Sequence, residues 1–199
     1  MSAGVFKSDD KLFLFVGKSA SGKTTIANLL EEKHGYKQVE SYTTRKPRYD
    51  GERGHTFVSE EEFKNLSKLA AYTFYNGCHY GTTFKQLNEC SIYVIDPPGV
   101  KYLLEKLDSA RNIVIIYFDA SVSTRIDRMV DRGSSDMEII NRLHHDDTEE
   151  DWYRELDRLV WHHKNLESKQ VELNKINANE NIENVLKQVL YYMNENEVE

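Results

Sequence analysis

Gly17-Lys18-Ser19-Ala20-Ser21-Gly22-Lys23-Thr24 fits the pattern G-x-x-x-x-G-K-[ST] and lies between an apolar run at 12–16 and the helically spaced Ile26, Leu29 and Leu30. Such a loop cradles phosphate. Its glycines let the chain curl so that successive N–H groups point inward, and the following helix adds the positive end of its dipole. Gly17, Ser19, Ala20, Ser21, Gly22, Lys23, Thr24 and Thr25 are therefore the expected ATP contacts. Lys23 would reach the transferring phosphate, and the Thr24 hydroxyl would be a magnesium ligand.

A second set of charges follows in the segment 41–48, where Arg45 and Arg48 flank Pro47. The residue before a proline is extended, so both side chains project and two guanidinium forks can converge on one phosphate dianion. Farther along, Arg125, Arg128 and Arg132 share one helix face by their i, i+3, i+7 spacing. Arg128 is grouped with the ATP contacts and Arg125 is read as a solvated charge. The base-reading N-K-x-D of GTPases is absent.

These groups need a frame to hold them. The runs at 91–96 and 112–118 are β-branched without alternation, as expected for parallel strands buried on both faces. Each is followed by helical spacing: Val100, Leu103, Leu104 and Leu107 after the first, Val122, Ile126, Met129 and Val130 after the second. Pro97-Pro98 suits a helix start, since the first turn needs no N–H there. Val171, Leu173 and Ile176 suggest a last strand, and Ile182, Val185, Leu186, Val189 and Leu190 a last helix. Alternating strands and helices predict an α/β fold with a parallel sheet covered on both faces. The tyrosine-rich stretch 39–82 reads as an inserted lobe.

Composition agrees with a globular domain. The 199 residues carry 30% charged and 39% hydrophobic side chains, with a net charge of −7, which disfavours a nucleic-acid or anionic-membrane surface. No apolar run approaches membrane-span length, and residues 1–10 do not read as an export signal. Cys78 and Cys90 lack zinc spacing and read as free thiols. A cytoplasmic protein, monomeric or homodimeric, without membrane or nucleic-acid partners, is the expectation.

The ordered motifs resemble the guanylate kinase family from Lys11 to about Tyr191. After the phosphate loop come S-Y-T-T-R-K-P-R at 41–48, Gly51-Glu52 with Gly54, Phe57-Val58-Ser59 with Phe63, and Tyr80-Gly81-Thr82. Ile95-Asp96 with Gly99, Arg132-Gly133 and Arg142-Leu143 complete the pattern. The resemblance implies a P-loop NTPase three-layer parallel-sheet core (11–38, 85–125 and 165–193), a monophosphate-binding lobe (39–84) and a helical lid (about 126–164). It implies that Ser41, Arg45, Arg48, His55, Tyr80, Thr82 and Asp96 bind the acceptor. Asp96 would also organise magnesium waters. Lys23, Arg45, Arg132 and Arg142 would serve catalysis.

Two positions depart from the family pattern in a way that bears on the base. Where the family carries a guanine-reading glutamate, nine residues before Tyr80, this chain has Ala71, and Val94 stands where an aspartate is frequent. No acidic residue occurs between Phe63 and Asn88. Guanine donors left without a carboxylate cost about 1–3 kcal/mol each. His55 replaces a family tyrosine. His144-His145-Asp146-Asp147 and His162-His163 are not read as a metal site, because neighbouring side chains on a helix diverge by about 100°; the resemblance implies that they lie on the solvated lid and its return helix. The expected reaction is transfer of the ATP γ-phosphate to (d)GMP with Mg²⁺ as cofactor. The alternatives are a different acceptor, such as another nucleotide or a phosphorylated sugar, and a non-catalytic binding module.

Overall fold

The computed structural model describes residues 11–48, 50–107, 111–147, 151–166 and 170–193. In chain order its elements are β1 (Lys11–Val16), α1 (Lys23–His34), β2 (Ser41–Thr43), β3 (His55–Phe57), α2 (Glu60–Lys64), β4 (Leu69–Tyr75), β5 (Cys78–Thr83), α3 (Phe84–Asn88), β6 (Ile92–Val94), α4 (Pro97–Lys106), β7 (Asn112–Asp119), α5 (Val122–Asp131), α6 (Asp136–Asp147), α7 (Trp152–Leu166), β8 (Val171–Asn177) and α8 (Ile182–Met193).

β1 carries apolar side chains at successive positions because both of its faces are covered. Leu12, Leu14 and Val16 pack on one side with Val100, Leu103 and Leu104 of α4 and with Leu156 of α7. Phe13 and Phe15 pack on the other with Ile26 and Leu30 of α1 and with Val185 and Val189 of α8. Each such side chain removed from water contributes about 1.5–3 kcal/mol, so the sheet is the rigid part of the molecule. Its strands are parallel in the order β6-β1-β7-β8, and Gln38 bridges to Ile92 beyond the β6 edge. The expected α/β parallel-sheet core is the fold observed.

The inserted segment forms its own sheet, β3-β2-β5-β4, with β2 and β3 parallel and the remaining pairs antiparallel. It is docked to the core where β4 packs on α4. Capping boxes start the two short helices beside it, Ser59 with Glu62 at α2 and Thr83 with Gln86 at α3. Helices α5 and α6 contact each other, whereas α7 lies against α4 and β8. Among the described residues no helix is long and apolar enough to cross a membrane.

Helix α5 corrects one expectation. Its apolar positions were expected to face inward, and Arg125 to face solvent. Instead Val122 and Val130 are exposed, while Met129 and Arg125 are fully buried. The reason is a partner on another helix: the Arg125 guanidinium reaches the Asp146 carboxylate at 2.7 Å.

Candidate active site

The site gathers at the carboxyl ends of β1, β6 and β7, where open parallel sheets leave a crevice. The chain leaves β1 at Gly17, with φ 154°, and a Cβ there would come within 2.7 Å of the Phe118 carbonyl oxygen. Gly22, with φ 99°, sits immediately before the first turn of α1. A residue with a side chain would be strained at either point, so the glycines of the motif shape the loop.

Within the loop, the Lys23 ammonium donates to the Gly17 oxygen at 2.5 Å, the Lys18 oxygen at 2.9 Å and Ser21 Oγ at 3.2 Å. Burial brings its pKa down to about 8, against the pull of nearby Asp146 and with the added push of Arg125, Arg132 and Arg48. Thr24 and Thr25 stand exposed on the first turn and line the clefts beside the loop. Arg128 donates to the Ala20 and Ser21 oxygens and, at 2.8 Å, to the Ala178 oxygen. It thereby straps the loop to the turn before α8.

Three of the hollows that border this loop bear on the site. One of about 250 Å³ lies between Ser21, Gly22, Thr25 and Ile26 on one side and Arg128, Arg132, Ile182 and Val185 on the other. A larger cleft, about 610 Å³, is bordered by Thr24, Arg48, His55, Arg132 and Arg142. The third, about 190 Å³, runs from Gly17, Ser19 and Lys23 into the lobe past Ser41, Arg48, His55 and Tyr80. Tyr72, Tyr93, Val94, Ile95 and Trp152 give much of its remaining lining an aromatic and apolar character.

Lobe side chains are held firmly before any ligand is considered. Glu52 takes both Arg45 terminal nitrogens, at 3.0 and 2.9 Å, and the Arg48 backbone N–H at 2.7 Å. Arg45 also lies over the Phe57 ring. Ser41 Oγ and His55 Nδ1 are 2.9 Å apart. Burial, together with Arg45, brings the His55 pKa down to about 4, so the ring is neutral near pH 7 and presents its other nitrogen as the N–H when Nδ1 accepts from Ser41.

Not every expected residue joins the site. The buried Thr82 hydroxyl donates to Gln86 Oε1 at 3.1 Å, in the network that starts α3. Asp96, by contrast, does line the third hollow, where its Oδ1 accepts the Gly99 N–H at 2.8 Å as the N-cap of α4.

Sequence reasoning passed over Asp146. Read as solvated, it is 1% exposed. It accepts from Ser19 N at 2.9 Å and Ser19 Oγ at 3.2 Å, as well as from Arg125. Its neighbour His145 stacks on Tyr75 of the lobe with centroids 3.9 Å apart.

An AAA domain family matches residues 14–153. A guanylate kinase of Helicobacter pylori (strain 26695) is 30% identical over 147 residues, 68% of this chain and 70% of that protein. The chain belongs to the guanylate kinase family. A guanylate kinase of Fusobacterium nucleatum is 32% identical over 83 residues, 39% of this chain and 45% of that protein, so this match spans less than half the relative's length. The crystal structure of guanylate kinase from Anaplasma phagocytophilum shares the fold, with a TM-score of 0.55 at 18% identity over 98% of this chain and 90% of that one. Ala71 is buried on β4 and Val94 closes β6, so neither of the two positions expected to read guanine offers a carboxylate.

Proposed function

We propose that the chain transfers the γ-phosphoryl group of ATP to a nucleoside monophosphate, yielding ADP and a nucleoside diphosphate. The supporting observation is a set of separately held cations around the phosphate loop: Arg48, Arg132 and Arg142 border one cleft with Thr24, Lys23 lines the adjoining hollow that Arg48 also reaches, and Glu52 ties Arg48 to Arg45. An oxygen of the acceptor phosphate attacks the γ-phosphorus as the bond to the bridging oxygen of ADP breaks. A phosphate dianion is already a nucleophile, so no general base is required. What the protein must supply is alignment and compensation of charge on the transferring group.

In this reading Arg45, Arg48, His55, Ser41 and Tyr80 orient the acceptor, and Lys23, Arg132 and Arg142 stabilise the moving charge. Gly17 to Thr25 and Arg128 hold the triphosphate. Magnesium, bound with ATP, would neutralise charge on its phosphates. The exposed Thr24 hydroxyl is suited to ligate it, and Asp96 to organise its waters, as fits a hard cation that keeps much of its hydration.

(d)GMP is the acceptor that family membership favours. A specific observation favours a second reading, an acceptor other than guanine nucleotide. Among the described residues, the only carboxylates lining the lobe-side hollow are Asp96 and Asp146, and both already accept hydrogen bonds from the protein. Comparison of kcat/KM for GMP, dGMP, AMP, IMP, UMP, CMP, dTMP and ribose phosphates decides between them. A preference for GMP of a hundredfold or more would carry about 2.7 kcal/mol of discrimination and establish guanine reading without the family's carboxylates. Equal or better turnover of another acceptor establishes the second reading.

A further inference from the structure

We infer that Asp146, held by Arg125, is a positioning residue for phosphoryl transfer: it ties the lid to the phosphate loop at Ser19 and so sets where Arg142 reaches the cleft. This rests on the reading of Arg142 as a group that stabilises the transferring charge.

The pair is poorly explained as a device for stability. Arg125 is fully buried and Asp146 is 1% exposed. Taking both charges out of water is costly, and a buried ion pair is frequently no better for stability than two apolar side chains of the same volume. This one is also incompletely satisfied, since Arg125 Nε and Nη2 have no hydrogen-bond partner among the described residues. Its distinct product is a carboxylate fixed at the mouth of the phosphate loop, accepting both the N–H and the hydroxyl of Ser19.

The location of that carboxylate gives it a role. Asp146 is one turn beyond Arg142 on α6, so the two project from the same face. While Asp146 holds Ser19, Arg142 borders the cleft that also contains Arg48 and Arg132. Beside it, His145 stacks on Tyr75 of the lobe. One helix end therefore contacts loop and lobe together, and withdrawal of α6 would break these contacts and remove Arg142 in a single movement. The Ser19 N–H belongs to this junction while it holds.

The test is a kinetic cycle on the full chain. Arg125→Met with Asp146→Leu removes both charges and keeps the volume, so the melting temperature should stay near that of the wild type. The expected result is a fall in kcat of about tenfold or more, with KM for ATP and acceptor changed by less than about threefold. Arg142→Ala should also lower kcat, and adding it to the pair variant should cost no more than about a further twofold, since both act on the same group. Ser19→Ala leaves the buried pair intact and should show a smaller kcat loss, again non-additive with Arg142→Ala, which keeps the test available should the pair variant not fold. A pair variant with wild-type kcat beside an impaired Arg142→Ala, or losses that multiply, overturns the inference. A wild-type kcat in Arg142→Ala overturns the reading of Arg142 itself, and the inference with it.

Discussion

Glu52 holds Arg45 in a two-bond fork, with Nη1 at 3.0 Å from Oε2 and Nη2 at 2.9 Å from Oε1. The carboxylate is 5% exposed and also lies 3.6 Å from the Arg48 guanidinium, so one buried anion orders both cations expected to take the acceptor phosphate. Arg45→Ala and Arg48→Ala should each raise the acceptor KM by about 10- to 100-fold, the loss of one charge-assisted contact of roughly 1.5–3 kcal/mol. KM for ATP should change little. Glu52→Gln should raise the acceptor KM by a smaller factor, about three- to tenfold, because it loosens the arginines without removing them. Initial-rate kinetics with both substrates varied provide the check, and equal effects on ATP and acceptor would contradict the division of roles.

Lys23 gives a pH signature. Burial puts its pKa at about 8 in the protein without nucleotide, and a bound triphosphate favours the ammonium. ATP binding should therefore take up a proton as pH rises past 8, and affinity should fall from there upward. Calorimetry at pH 7, 8 and 9 in buffers of different ionisation enthalpy measures this uptake directly. Lys23→Ala should abolish the uptake and reduce turnover by a factor of about 10³ or more.

His55 predicts acid sensitivity. Its folded pKa, about 4, lies below the ordinary 6.5 because burial and Arg45 oppose the charged ring. Between those values the unfolded chain binds a proton that the folded chain does not, so this group lowers stability progressively as pH falls from 6.5 to 4. His55→Asn should flatten that part of the profile of melting temperature against pH. An unchanged slope between pH 6.5 and 4.5 would show that His55 is not buried as described.

What could be read in the sequence was whatever is local. The phosphate loop and the X-Pro arginines are encoded in short contiguous segments, and the β-branched runs mark strands covered on both faces. The capping box of Thr83 and Gln86 was equally local, yet the neighbouring Thr82 was assigned to the acceptor, and its hydroxyl serves that same network. Arg125 and Asp146 were missed for a different reason. They lie on separate helices 21 positions apart, and each looks like an ordinary solvated charge until α5 and α6 pack. A buried ion pair has no periodic signature. Its mark appears only in the folded structure, as the exposure of Val122 and Val130, apolar residues that the packed helix turns outward.

The most direct test of the central claim follows ³¹P resonances of Mg-ATP mixed with each monophosphate of the panel. The account predicts that, for at least one acceptor, the monophosphate signal is replaced by the paired signals of a diphosphate while ADP accumulates in equal amount, and that Lys23→Ala abolishes both. ATP consumption without a new diphosphate, or no change across the whole panel, would contradict it.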